Sequence, residues 1–317
     1  MTTARYLVTG GAGFIGSHIT VALLKKGESV RVFDNFETGR RSNLKAFEGL
    51  PGNVEVIEAD LRNLAAVREA VQGVEVVYHE GALASVPRSV ADPIKSLEVN
   101  VNGTQHVLVA ARDAGVRRVV FACSSSVYGD TPTLPKREDM TPTPMSPYAI
   151  HKLTSEQLCG VFTRIYGLET VALRYFNVFG PRQDPKSEYA AVIPRFLTAL
   201  LQQQRPIVFG DGEQTRDFTY IDNVVQANLL AATAEAANGE AMNIGCGERI
   251  SLNEVLRIAF DLVGINTGID YREPRTGDVR DSLADISKAQ RLLHYEPTIK
   301  FQEGLAATLA ALRTGIE

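Results

Sequence analysis

An α/β fold built on a doubly wound parallel sheet, with a smaller α+β unit interleaved behind it, is predicted by three observations. Short apolar strands alternate with helical stretches from Tyr6 to Leu173, the pattern of a parallel sheet covered on both faces. The first strand runs straight into a glycine-rich turn that opens a helix. Past Phe176 glycine and proline become frequent and the elements shorten. The predicted partition assigns 1–176, with about 217–237, to a dinucleotide-binding unit, and 177–216 with 238–317 to a substrate unit.

Composition narrows the function classes. The 317 residues are 44% hydrophobic and 22% charged, as in a soluble globular protein, and can bury a large core. A net charge of −4 argues against a nucleic-acid or anionic-membrane surface. No apolar run reaches spanning length, and the N-terminus leads into a strand without a signal-peptide core, so a cytoplasmic location is expected. Cys123, Cys159 and Cys246 lie far apart in no metal-ligand spacing, so no metal site is expected.

The elements follow in order. Arg5 to Thr9 is a strand, and Gly10-Gly11-Ala12-Gly13-Phe14-Ile15-Gly16 joins it to a helix from Ser17 to Lys26. A helix N-terminus offers unpaired N–H groups and a favourable dipole to a pyrophosphate, and Gly10, Gly13 and Gly16 allow the close approach. The strand Ser29 to Phe33 ends in Asp34, placed to bind an adenosine ribose diol. A carboxylate there repels a 2′-phosphate and favours NAD over NADP. After the strand Asn53 to Glu58, Asp60 stands either at the adenine end of the cofactor or as the N-cap of a helix near Leu64. Val74 to His79 is the fourth strand, followed by a crevice loop from Glu80 to Ser85. Leu97 to Ala114 is helical, with Asn100 at its buried start.

Arg118 to Cys123 is the fifth strand and runs into Ser124-Ser125-Ser126. If that run is extended, Ser124 and Ser126 face one way. Ser146 is a good N-cap and Pro147 a good first helical residue. Tyr148 then lies in the first turn with Lys152 four residues on, along one helix face. An ammonium at that spacing, with the helix dipole, lowers a phenol's pKa and makes a proton acceptor. Beyond the strand Glu169 to Leu173, helices are predicted at 194–202, 219–232, 253–262, 285–293 and 303–312, with short strands at 206–209 and 243–244.

These motifs resemble the extended short-chain dehydrogenase/reductases with their Rossmann-type sheet, and within them the UDP-hexose 4-epimerases. The resemblance spans essentially the whole chain. It is carried by Gly10 to Gly16, Asp34-Asn35, Ser124 with Tyr148 and Lys152, and Arg174-Tyr175-Phe176-Asn177. Gly210-Asp211-Gly212, Arg216-Asp217 and Arg275-Thr276-Gly277-Asp278 extend it. It implies a tightly held NAD and no net redox change. Tyr148 would take the proton of the sugar 4-hydroxyl, Lys152 would lower its pKa and hold the nicotinamide ribose, and Ser124 would bind the sugar oxygen. Phe14 and Ile15 would lie over the pyrophosphate. Asn35, Thr38 and Gly39 would join Asp34 at the adenosine ribose, and Leu61 would join Asp60 at the adenine. Ala82, Ala84, Asn100 and Phe176 would line the nicotinamide end.

On the substrate side the resemblance implies that Asn177 contacts the diphosphate of a UDP-sugar and Arg216 and Arg275 clamp it. Val192 and Phe209 would border the uridine, Asp278 would hold its ribose, and Ser126 would help bind the sugar. Ala84, Ala191 and Ser282 are small where the sugar's C2 substituent would sit, which favours the UDP-GlcNAc/UDP-GalNAc pair with UDP-Glc/UDP-Gal as further substrates. Glu80-Gly81 departs from relatives that carry apolar residues or alanine, and Gly81 should loosen the loop. A carboxylate expected of dehydratases and decarboxylases is missing from Ser124-Ser125-Ser126-Val127, whereas a UDP-glucuronate 4-epimerase needs only an added cation such as Arg88 or Arg182. The same fold could also carry a net dehydrogenase that releases NADH, or a non-catalytic NAD-binding protein. A homodimer through helices at 97–114 and 155–166 is the family expectation.

Overall fold

The computed structural model describes residues 4–184, 191–274 and 279–315. Seven parallel strands form its main sheet: β1 (Tyr6–Thr9), β2 (Ser29–Asp34), β3 (Asn53–Glu58), β4 (Val76–His79), β5 (Arg118–Ser124), β6 (Glu169–Tyr175) and a last strand, Ala241–Ile244. The last strand hydrogen-bonds to β6, and the spatial order is Ala241–Ile244, β6, β5, β4, β1, β2, β3. The partition by sequence puts this strand in the substrate unit. It joins the main sheet because β6 otherwise presents an unpaired edge. The order reverses between β1 and β4, which opens a crevice at the strands' C-terminal ends.

Helices cover both faces. The first face carries α1 (Phe14–Lys25), which begins inside the glycine stretch rather than at Ser17. The second carries α2 (Leu64–Ala70), α3 (Val86–Ala91), α4 (Pro93–Leu97), α5 (Gly103–Asp113) and α6 (Pro147–Tyr166). The predicted helix 97–114 is two helices joined through a π-helical turn, Glu98–Asn102. Asn63 caps α2 by accepting from the Ala65 and Ala66 N–H groups, so Asp60 is not its cap. Ser146 caps α6 with Pro147 at its first position, and Gly167 ends the helix at φ 71° in the left-handed region.

The rest is short elements: β7 (Val178–Phe179), α7 (Val192–Leu201), β8 (Ile207–Phe209), β9 (Thr215–Arg216), β10 (Thr219–Tyr220), α8 (Ile221–Ala231), β11 (the Ala241–Ile244 strand), β12 (Ile250–Ser251), α9 (Leu252–Val263), β13 (Asp270–Arg272), α10 (Ser287–Leu293) and α11 (Phe301–Arg313). The helix α8 packs beside α1 on the first face. The buried Arg118 guanidinium of β5 donates to Ala231 O at 2.8 Å and Ala234 O at 2.9 Å, satisfying carbonyls at the end of α8. The hydrophobic cluster on that face, with Val8, Val32, Val120 and Leu173, runs without a break into Phe196, Leu256 and Leu305 of α7, α9 and α11. One core therefore serves the sheet and the cap behind it. The opposite face packs Leu7, Val77 and Val119 against Val107, Leu108 and Phe162 of α5 and α6.

Candidate active site

The glycine turn is built by close approach. A Cβ on Gly16 would stand 2.3 Å from Gly10 O, and one on Gly10, whose φ is +65°, would stand 2.8 Å from Gly81. Gly13 is extended and no side chain caps the first turn of α1, so its backbone N–H groups face the crevice uncapped. Gly81 does not loosen its loop. A Cβ there would meet Leu61 at 2.9 Å, and the loop instead closes tightly on the glycine turn.

Asp34 is buried and fastens this turn. Its carboxylate accepts from Ala12 N–H at 2.9 Å and Phe36 N–H at 2.8 Å, and a Cβ on Gly39 would strike it at 2.6 Å. A carboxylate offers about four acceptor positions, so two remain for a ribose diol. Asp60 accepts from Asn35 Nδ2 at 2.8 Å and from Arg62 through Nε and Nη2. Arg62 holds that carboxyl well below its ordinary pKa. Thr38 is exposed beside them. The Leu61 side chain packs under Gly81 and Gly103, and its carbonyl is hydrogen-bonded to His106 Nδ1 at 2.8 Å. Uncapped donors and a half-satisfied carboxylate along one crevice suit a dinucleotide.

Two residues expected to line the nicotinamide end are held by protein contacts in the structure. Phe176 is wholly enclosed, packed on Tyr128 with ring centroids 6.2 Å apart. Asn100 is buried, and its side chain accepts from Leu83 N–H at 2.7 Å and donates to Leu83 O, fixing the crevice loop from behind. Ala82 and Ala84 remain on the open side of that loop.

Tyr148 sits in the first turn of α6, its N–H donating to Ser89 Oγ at 3.0 Å. Lys152 Nζ is buried one turn on, donates to Ala122 O at 2.7 Å and lies 5.9 Å from the Tyr148 ring centroid. The expected lowering of the phenol pKa is not found here. Burial raises it, and interaction with the Ser124 side chain is what pulls it back. Burial also lowers the Lys152 ammonium. Ser124 ends β5, but Ser125–Tyr128 turns into a 3-10 helix, so the strand alternation of Ser124 and Ser126 fails. Ser126 Oγ is buried with no hydrogen-bond partner among the described residues. Arg174 braces α6 to the sheet with a two-pronged pair to Glu156 (2.8 and 2.6 Å) and a bond to Tyr128 Oη at 2.7 Å.

The opposite wall is a cleft of about 810 Å³ lined by Phe209, Gln214, Arg216, Tyr271 and Arg280. It adjoins a second cleft of about 260 Å³ lined by Asn177, Ala191, Val192, Arg195 and again Phe209, Gln214 and Arg216. Asn177 holds φ +26° and donates to Asp217 O at 3.2 Å and Ser282 Oγ at 3.3 Å. Asp217 is buried and accepts from the N–H groups of Cys246, Gly247 and Ala284, tying β9 to two loops. Burial raises its carboxyl to about 6. Gln214 is a lining residue that sequence reasoning misses. Its Oε1 is buried without a hydrogen-bond partner among the described residues, and its signal was the period-two spacing to Arg216. Arg275 and Asp278 lie outside the described residues. Arg182 sits against α1, with Nε 3.2 Å from His18 Nε2, away from the residues lining these clefts. No group of three or more His, Cys, Asp or Glu residues that could hold a metal occurs among the described residues, and no helix among them is long and apolar enough to cross a membrane.

A sequence profile of the NAD dependent epimerase/dehydratase family matches residues 6–245. The chain is similar to the UDP-glucose 4-epimerase of Mycolicibacterium smegmatis, 38% identical over 314 residues covering 98% of each. It superposes with a TM-score of 0.93 on the UDP-N-acetylglucosamine 4-epimerase of Methanobrevibacter ruminantium in complex with UDP-N-acetylmuramic acid (37% identity, 99% and 100% of the two chains). The score is also 0.93 on a Thermotoga maritima UDP-glucose 4-epimerase with UDP-glucose (36% identity, 98% and 99%).

Proposed function

The chain belongs to the NAD dependent epimerase/dehydratase family, and we propose that it inverts C4 of a UDP-hexose through a 4-keto sugar. The observation that carries this reading is the cluster of Tyr148, Lys152 and Ser124 where β5 ends and α6 begins, in a chain that also carries the glycine crevice and a cleft lined by Asn177, Phe209 and Arg216. When bound, oxidised NAD supplies a reversible hydride acceptor and a positive charge. Tyr148 takes the proton of the 4-hydroxyl and later returns it. Lys152 holds an ammonium one helical turn from that phenol, and Ser124 orients the sugar oxygen. Arg216 and Asn177 grip the diphosphate, Arg275 and Asp278 having by resemblance the roles the motif gives them, while the 4-keto sugar turns its other face.

Within this reading the preferred pair is UDP-GlcNAc/UDP-GalNAc, with UDP-Glc/UDP-Gal also turned over. Small side chains at Ala191 and Ser282 support it, Ala191 lining the cleft and Ser282 lying behind Asn177. The position of Arg182 beside His18 gives no support to a glucuronate substrate held by that residue. A homodimer is part of the proposal. Exposed Val90, Ile94, Ile150 and Ile165 on α3, α4 and α6 supply apolar area for it, and a monomeric mass by light scattering would remove it.

The test uses protein as purified, without added NAD, incubated separately with UDP-GlcNAc and UDP-Glc. Formation of the C4 epimer without NADH release is the expected result, faster for UDP-GlcNAc. No conversion of either would overturn the reading.

A further inference from the structure

An ion pair spans the dinucleotide crevice and takes no part in the chemistry described above. Glu37 lies in the loop that follows β2, and Lys95 lies on α4. The Lys95 ammonium donates to Glu37 Oε1 at 2.6 Å. In the sheet, β1 stands between β2 and β4. The chain reaches α4 from β4 through the crevice loop and α3. That loop is pressed on the glycine turn at the end of β1, where a Cβ on Gly10 would stand 2.8 Å from Gly81. A contact from the β2 loop to α4 therefore crosses the end of β1. Asp34 and the uncapped N–H groups of α1, the groups suited to the adenosine half of a dinucleotide, lie at that same end.

Both partners are held by their own backbones. Glu37 N–H donates to Asn35 Oδ1 at 3.1 Å, and Asn35 Nδ2 donates to Asp60 Oδ2 at 2.8 Å, which ties the β2 loop to the loop after β3. On the other side Asp92 caps α4 by accepting from Lys95 N–H at 2.9 Å. A second ion pair joins the same two sides. Arg62 Nη1, from the loop after β3, lies 3.6 Å from Glu98 Oε2 in the π-helical turn that continues α4. The Lys95 and Glu37 side chains are 35% and 37% exposed, so their pair lies at the mouth of the crevice and not in its floor.

Pairs placed this way close the protein around the adenosine half of the crevice. A reaction that returns its hydride leaves the cofactor unchanged and has no need to release it. A net dehydrogenase must let NADH go at every turnover, and a closed mouth would slow it. We propose that the Glu37–Lys95 pair is a clasp that retains the resident dinucleotide by slowing its escape from the crevice. This deepens the epimerase reading and rests on NAD being the resident cofactor.

The test follows exchange and needs no turnover. Protein as purified, with its bound NAD, is mixed with an excess of deuterium-labelled NAD, and the bound cofactor is read by mass spectrometry over time. Lys95→Met and Glu37→Ala should each speed release about 2- to 5-fold, the worth of an exposed ion pair. In about 1 M salt, which screens such a pair, variant and wild-type rates should converge. The exchanged double variant, Glu37→Lys with Lys95→Glu, should return release to near the wild-type rate. Unchanged release in both single variants overturns the proposal. So does a double variant that releases NAD faster than either single one, because Lys95 would then act on the cofactor's phosphates and not on Glu37. Wild-type protein that carries no bound dinucleotide overturns the proposal together with its premise. Bound NAD without turnover of any UDP-hexose would overturn the epimerase reading alone, since the exchange rates are measured without substrate.

Discussion

The two walls of the crevice are made from different parts of the chain. The cofactor wall is mostly backbone. Gly10, Gly16 and Gly81 touch main chain to main chain, and the carboxylate of Asp34 is spent on Ala12 and Phe36 N–H groups. The substrate wall is mostly side chains on strands of two or three residues, gathered around Asp217 and the positive-φ Asn177. Backbone packing demands one residue type at each point, whereas a side-chain wall can be rebuilt to fit another sugar. The comparison predicts that the first wall fails by collapse and the second by altered selectivity.

The largest effect falls on the residue between the walls. Tyr148→Phe removes one hydroxyl that either wall can spare structurally. Turnover should drop about 10²- to 10⁴-fold, the usual worth of a positioned acid–base group, while melting temperature and bound NAD stay near wild type. A comparable loss of bound NAD would mean that the phenol belongs to the cofactor wall instead.

Gly16→Ala should strike the cofactor wall alone. The new Cβ would lie 2.3 Å from a carbonyl oxygen that cannot rotate away. Overpacking of this kind costs about 3 kcal/mol, read as a lowered melting temperature and protein purified without NAD. Retained NAD with normal stability would show that the glycine turn yields more easily than its contacts imply.

The same contrast explains what was legible in the sequence. The Ser146 cap follows from a local demand of geometry and stands where that demand puts it, and Gly10 to Gly16 join β1 to α1 with Asp34 fastened to their turn. A motif fixes the position of Phe176 but not its direction, and the sequence does not show its packing in the core against Tyr128. Asp60 does not cap α2 because Asn63 stands closer to its first turn. The raised pKa of Tyr148 could not be read from a four-residue spacing. That spacing brings Lys152 to the same helix face, yet its ammonium donates to Ala122 O and burial dominates the phenol. Asp217 acts through loops distant in sequence, which no local pattern records, whereas Gln214 was legible only through its period-two spacing to Arg216.

Acid should weaken the cofactor wall through His79. It is buried between Thr9 Oγ1 (2.7 Å) and Thr104 Oγ1 (3.0 Å), and burial lowers its pKa from 6.5 to about 3. Below pH 6.5 the unfolded chain binds a proton that the folded chain refuses, so stability present above pH 6.5 is lost as pH falls toward 3. At pH 5 the loss is about 2 kcal/mol. His79→Gln should flatten the fall in melting temperature between pH 6.5 and 5, and an unchanged slope would place the acid-sensitive group elsewhere, with His18 next in line.

The smallest effect tests the substrate wall. Ser282 is buried behind Asn177, whose Nδ2 lies 3.3 Å from its hydroxyl, and Asn177 lines the narrower cleft with Ala191. A tyrosine at 282 cannot stay in that space, so its ring must displace Asn177 or enter the cleft. An N-acetyl group then loses room that a hydroxyl does not need. Ser282→Tyr should cut turnover of UDP-GlcNAc about tenfold relative to UDP-Glc, near 1.4 kcal/mol of discrimination, with resident NAD retained. Equal losses on both pairs would mean that Asn177 has been dislodged from the diphosphate. An unchanged ratio would show that the C2 substituent lies elsewhere, and that the substrate wall takes its selectivity from the residues around Ala191 instead.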